Sequence, residues 1–134
     1  YVQTNIIALL LPHRDRYTIF SELTLELDGR EFTPDLSVYP KTDVDLVHDE
    51  VRVTDPPLLA VEIASPTQNV QDLVQKIEIL LEAGVESCWL VQPPLRTVTV
   101  FPSRMDGTTV SDGTVSDPVL DLEIDVSEVF DPEV

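Results

Sequence analysis

The sequence predicts an α/β (α+β) fold, a mixed β-sheet flanked by helices. Three observations carry that expectation. Residues 58–64 form an apolar run with one ionisable residue, Glu62, set into it. Residues 70–83 follow as the best helix of the chain: Val70, Leu73, Val74, Ile77, Leu80 and Leu81 share one stripe at the 3.6-residue period. On either side lie strand-like stretches, with Leu23, Leu25 and Leu27 alternating against Glu22, Thr24 and Glu26 before it and residues 87–92 after it. Strands, then a helix, then another strand imply a mixed sheet with helices laid on its faces.

Taken in order, residues 1–11 read as the end of a helix stopped by Pro12, which has no N–H to extend it. Arg14-Asp15-Arg16 is a polar connection. Residues 17–27 read as a strand, Asp28-Gly29 as a hairpin turn, and residues 30–39 as the antiparallel return strand. Pro34 within that return requires an edge, a bulge or an interruption, and Pro40 ends it. Residues 41–57 form an acidic connection closed by Asp55-Pro56-Pro57, in which Leu46-Val47 and Val51-Arg52-Val53 could add short strand pieces. The apolar run at 58–64 suggests a central place in the sheet. Ser65-Pro66-Thr67 breaks it and supplies helix-start chemistry, and Gly84 is the helix stop. Pro93-Pro94 turns the chain into a strand at 96–101, hairpin-paired with the one before. Asp106-Gly107 and Asp112-Gly113 read as hairpin turns. The acidic tail from 119 holds one short strand and a helical turn. The chain shows no repeats and no low-complexity blocks.

At 134 residues, 43% of them apolar, the chain fits one domain spanning 1–134 with a proper core. The single Cys88 excludes a disulfide framework within the chain and suggests a reducing, cytoplasmic setting. No stretch approaches the roughly 18 apolar residues that cross a bilayer. Residues 5–11 lack the basic flank and cleavage site of a signal peptide. The chain begins at Tyr1 rather than Met, so a preceding N-terminal segment is expected.

The charge balance is unusual. Twenty-five acidic residues face eight basic ones, a formal net charge of −17. Nucleic-acid binders ordinarily carry the opposite sign, because Lys and Arg neutralise phosphates. One reading is a surface that repels nucleic acid. The other is adaptation to a salty cytoplasm, where at about 1 M salt the Debye length falls to roughly 3 Å and distant repulsion is screened.

Three residues stand out chemically. An isolated carboxylate such as Glu62 costs several kcal/mol inside an apolar strand unless it is partnered. Asp35, after Pro34, lies at the mouth of another strand. Lys76, one of two lysines, lies at the edge of the helix's apolar stripe. An Asp and a Glu on neighbouring strands repel each other unless a cation joins them. Mg2+ (or Mn2+) takes one or two carboxylates plus substrate phosphate, and a lysine beside it can stabilise charge in the transition state. Each residue also has an ordinary reading: Asp35 as a turn residue, Glu62 as a strand-end charge, and Lys76 as the (i, i+4) surface partner of Asp72. His13 and His48 have no metal-spaced partner. Ser65 is better read as a helix cap than as a nucleophile, although its hydroxyl could touch a phosphate. Trp89 and Cys88 read as core. Arg14, Arg16, Arg52 and Arg96 are candidate phosphate contacts too scattered to form a patch.

Pro34-Asp35, Val61-Glu62-Ile63-Ala64-Ser65-Pro66-Thr67, Asp72-x-x-x-Lys76 and Ala83-Gly84-Val85-Glu86-x-x-Trp89-Leu90-Val91 together resemble the Uma-type restriction endonuclease family of the PD-(D/E)xK nuclease superfamily. The resemblance covers about residues 17–101. It implies a restriction-endonuclease-like fold, Asp35 and Glu62 as metal ligands, Lys76 as the catalytic lysine, DNA as substrate, and a homodimer. It also brings in Glu22 and Gln75 as accessory groups, since superfamily members often add a third acid or a polar helix residue. In the parent superfamily the lysine stands two residues after the acid, where this chain has Ala64, so the lysine comes from the helix. Relatives commonly show Asp where this chain has Gln92, and usually carry a further segment before the first helix. The expected function is a divalent-metal-dependent DNA endonuclease. The alternatives are a non-catalytic interaction or structural domain retaining the fold, and a nuclease acting on RNA.

Overall fold

Ile6 and Leu10, four apart on one face, bury the first helix, α1 (Val2–Leu10), against the core. It tightens into a 3₁₀ turn over Leu11–His13 around Pro12, as the missing N–H requires. The computed structural model describes residues 1–41, 54–102 and 106–131. The strand pieces expected at Leu46-Val47 and Val51–Val53 lie outside the described residues.

After α1 come β1 (Tyr17–Ser21), β2 (Leu25–Leu27), β3 (Arg30–Phe32) and β4 (Leu36–Pro40). The two long strands expected here are thus each cut in half. Glu22 adopts the left-handed conformation (φ +53) and turns the chain after β1, while Pro34 has no N–H to give a ladder. The inner halves form a ribbon of their own, with Leu25 opposite Phe32 and Leu27 opposite Arg30. Its turn is the expected Asp28-Gly29, both at positive φ, as the tight hairpin turn demands. The outer halves pair in the main sheet, Tyr17 with Pro40 through Ser21 with Leu36.

Next come β5 (Leu59–Ile63), α2 (Val70–Glu82), β6 (Ser87–Gln92), β7 (Thr97–Pro102) and β8 (Thr108–Val110). The six-stranded sheet runs β1-β4-β5-β6-β7-β8. β5 lies in its interior, as its composition implied, antiparallel to β4 and parallel to β6. A parallel pair needs a crossover, and α2 supplies it. The helix begins at Asn69, whose side chain accepts from Gln71 N–H at 2.8 Å; the cap expected within Ser65–Thr67 is displaced because those residues close a separate turn, Gln68 N–H donating to Ser65 O. It ends at Gly84 (φ +107), where Gly84 N–H donates to Leu81 O and Val85 N–H to Leu80 O, closing the helix in a Schellman motif.

The chain closes with β9 (Thr114–Asp117), β10 (Leu122–Asp125) and α3 (Val126–Phe130). β9 pairs with β10 rather than with β8, so Asp112-Gly113 carries the chain between sheets instead of closing the expected hairpin. α1, α3 and this ribbon pack on the Leu59/Val61 face of the sheet together with Trp89, Val98 and Val100. α2 and the β2–β3 ribbon pack on the opposite face, over Ala60, Cys88 and Leu90. Strand alternation therefore sorts β5 as its sequence requires, and places Glu62 on the α2 side. Asp117 is buried on the far side. It accepts from Ser87 Oγ and Trp89 Nε1, each at 2.7 Å, and from the Val119 and Leu120 N–H groups. Sequence reasoning passed over this carboxylate, whose four donors come from two separate segments, β6 and residues 119–120.

Candidate active site

Asp35 stands at the start of β4, held at its backbone by two donors: Glu22 N–H at 3.0 Å and Gln3 Nε2 at 3.2 Å both reach its carbonyl oxygen. Its side chain crosses to β5, where Oδ2 accepts from Ile63 N–H at 2.7 Å. The last registered pair of β4 and β5 is Leu36 with Val61. One step further, Asp35 faces Glu62, and opposed side chains on neighbouring strands lie about 4.5–5.5 Å apart at Cβ.

Glu62 is 4% exposed, the only buried Asp or Glu besides Asp117 among the described residues. Burial pushes its carboxyl above the ordinary glutamate range; Lys76 opposes that rise, and the charge of Asp35 adds to it. Lys76 reaches down from α2 to place Nζ 2.9 Å from Glu62 Oε2. The approach is close but off the direction of a hydrogen bond, so Oε2 is held by charge and accepts no directed bond. Lys76 thus pairs with the buried acid rather than with Asp72, the surface partner its helix spacing offered. Cys88, on β6 opposite Ala60 and on the same face of the sheet, is a buried thiol pushed up first by burial and then by the charges of Glu62 and Asp117, so it is no nucleophile.

Glu22, Ser65, Asp72 and Gln75, the remaining polar candidates for an accessory part in the site, divide differently. Glu22 meets the centre through its backbone N–H, while its side chain is exposed. Asp72 and Gln75 are exposed on α2. Ser65 is exposed beyond β5, its N–H bound to Gln68 Oε1 and its hydroxyl 3.3 Å from Thr67 Oγ1. Gln92 ends β6 two residues past Leu90, the partner of Glu62, and so lies on the same face as the acid. Of the candidate phosphate-contacting arginines, Arg16 stacks on Tyr17 and Arg96 stacks on Phe130 while pairing with Asp131. Arg52 lies outside the described residues.

Gln3 is the residue that sequence reasoning missed. Its signal was available: Gln3, Ile6 and Leu10 share one helical stripe, and a polar group on an apolar stripe calls for a partner. That partner is the Asp35 carbonyl, which Gln3 Nε2 reaches from α1.

The donor set suits a hard divalent cation. Asp35 and Glu62 supply carboxylate oxygens, and the buried Oε2 has no directed hydrogen bond to satisfy it. No cluster of three or more His, Cys, Asp or Glu side chains fit for a metal exists among the described residues, which leaves the remaining positions to water and substrate oxygens.

The model of the Uma2 family, described as "Putative restriction endonuclease", matches residues 1–128. The chain belongs to the Uma2 family. Among solved structures, this Uma2 chain is similar to a protein of Anabaena variabilis ATCC 29413 described as a putative nuclease belonging to DUF820. The TM-score is 0.81 and the identity 22%, over 96% of this chain and 78% of that one. That likeness is one of fold, and it agrees with the mixed sheet and its flanking helices. No curated protein matches the chain. Among the described residues no helix is long and apolar enough to cross a membrane.

Proposed function

We propose that this Uma2 chain is a divalent-metal-dependent endonuclease that hydrolyses DNA phosphodiester bonds. The observation that carries the reading is one convergence: Asp35 and Glu62 face each other across β4 and β5, and Lys76 Nζ stands 2.9 Å from Glu62 Oε2. Asp35 and Glu62 would hold Mg2+ or Mn2+, which when bound lends Lewis acidity to the scissile phosphate and to a water.

The chain's own residues do the rest. Gln3 and the Glu22 N–H fix the Asp35 backbone, and Ile63 N–H fixes its carboxylate, so this ligand is oriented before substrate arrives. The Lys76 ammonium is positioned to stabilise negative charge gathering on phosphate oxygens, or to orient the attacking water. The water oxygen bonds to phosphorus as the bond to the ester oxygen on the opposite side breaks; the water gives up a proton to solvent and the departing oxygen takes one up. The surplus of acid does not forbid a polyanionic substrate in concentrated salt, where screening acts over roughly 3 Å.

Calorimetric titration with Mn2+ tests the site, with the wild type set beside Asp35→Ala and Glu62→Ala. Both substitutions should weaken binding by about tenfold or more, as the loss of a ligating carboxylate implies. Equal affinity in all three proteins would defeat the assignment. Cleavage of DNA and of RNA, run at low and high salt with Lys76→Ala as control, then decides the substrate. The acidic surplus and Gln92 favour a second reading, a non-catalytic domain that keeps the fold. Metal binding without cleavage of either nucleic acid at any salt concentration would select it.

A further inference from the structure

We infer that the Lys76 ammonium holds the place beside Glu62 that a divalent cation takes, so that lysine and metal compete for one carboxylate oxygen. Lys76 then has to leave Oε2 before the site can work. The inference rests on the reading of Asp35 and Glu62 as metal ligands and adds an order of events to it.

Four features of the geometry support competition. The Glu62 side chain is 5% exposed, and a carboxylate that deep needs a positive charge close by. Lys76 provides it at 2.9 Å, off the direction of a hydrogen bond, so the pairing is mainly one of charge and another cation in the same place could replace it. Two cations at that one oxygen would lie a few ångströms apart and repel each other, the more so beside a carboxylate as buried as Glu62. Asp35 is arranged differently: its Oδ2 is engaged by a neutral backbone N–H, which stays in place when a metal arrives.

Lys76 also has somewhere to go. Its side chain is 28% exposed and unbranched, at the middle of α2 and bordered by the exposed Asp72 and Gln75. Rotation about its stem carries the ammonium from Glu62 toward the rim where a phosphate would lie, without moving the helix. A single lysine thereby neutralises Glu62 before the metal binds and faces the substrate afterward.

The consequence is opposite effects of one substitution. A residue that merely helps to build a metal site weakens metal binding when it is removed. Removing Lys76 should strengthen it. Calorimetry on the chelator-treated full chain, titrated with Mn2+ alone, should show Lys76→Met binding about tenfold or more tightly than wild type, since a like charge is removed from the site. Lys76→Arg keeps the charge and should bind no more tightly than wild type. Cleavage should fall in both. Thermal melts provide the second readout: added Mn2+ should raise the melting temperature of Lys76→Met by more than that of wild type. A Lys76→Met chain that folds only with Mn2+ present would also support the inference, because the metal would then be replacing the lysine's charge.

Unchanged or weaker Mn2+ affinity in Lys76→Met, while Asp35→Ala and Glu62→Ala lose binding, would overturn the competition and leave the metal-site reading standing. If Asp35→Ala and Glu62→Ala bind as wild type does, that reading falls and the competition falls with it.

Discussion

At the scale of single residues, Glu62 sets the terms. Its carboxyl titrates above the ordinary glutamate range because it is buried, so the folded state holds its proton more readily than the unfolded chain does. The sign follows: the protonated form is favoured in the fold at low pH, and that advantage is lost as pH rises from the ordinary glutamate range through the raised value. Above that window the chain carries the cost of an ionised, buried acid, only partly offset by Lys76. Glu62→Gln should therefore gain stability relative to wild type as pH increases through the window, read as a growing difference in urea midpoint between acid and neutral pH. The opposite trend would mean that the Lys76 pair outweighs burial. Such a cost is expected of a functional acid, since selection for stability alone would place an apolar residue there. Much at this scale was legible in the sequence, because one Glu in an apolar strand is conspicuous. The partner of Lys76 was not: helix spacing offers Asp72 on equal terms, and only the packing of α2 on the sheet turns the lysine inward to Glu62.

At the scale of elements, α2 delivers the lysine and β5 the acid, so whatever fixes the helix on the sheet also fixes the site. Gly84 is the sensitive point. It sits at φ +107, and a Cβ there would lie 3.1 Å from Pro56 Cγ. Gly84→Ala should cost about 1–2 kcal/mol in chemical denaturation, from backbone strain and crowding together. A loss of less than about 0.5 kcal/mol would show that the cap relaxes freely. The apolar stripe and the terminal glycine made this helix readable almost to its ends. The strands around Asp35 were less so. Alternation is continuous from 22 to 27, yet the ladder breaks at Glu22 and again near Pro34, diverting the middle of the hairpin into a second ribbon. That diversion leaves the Asp35 carbonyl outside the ladder and open to Gln3 and the Glu22 N–H. The break that sequence periodicity hides is thus what secures the first carboxylate.

At the scale of the whole molecule, the net charge of −17 is the dominant fact. Self-repulsion among so many carboxylates should destabilise the fold at low ionic strength and relax as salt screens it. The melting temperature should climb steadily from about 0.1 M to about 2 M KCl, across which the Debye length falls from roughly 10 Å to below 3 Å. DNA binding, measured over the same range, should persist or strengthen rather than collapse as it does for basic proteins. A melting temperature that is flat in salt would remove the case for adaptation to a salty interior and leave the acidic surface as a barrier to nucleic acid. Sedimentation at both salt concentrations would test the homodimer that the superfamily resemblance implies.

By itself, the sequence determined the helix α2 and the strands β5, β6 and β7, which residues of β5 share a face with the acid, and where the Asp28-Gly29 and Gly84 turns fall. These are matters of local sterics and periodicity, settled within a few residues of each position. The tertiary structure alone decided that Asp35 lies opposite Glu62, that Lys76 descends to the buried acid, and that Gln3 reaches the start of β4. Those meetings depend on strand order and register, which are set by the fit of two apolar layers against the whole sheet rather than by any stretch of the chain.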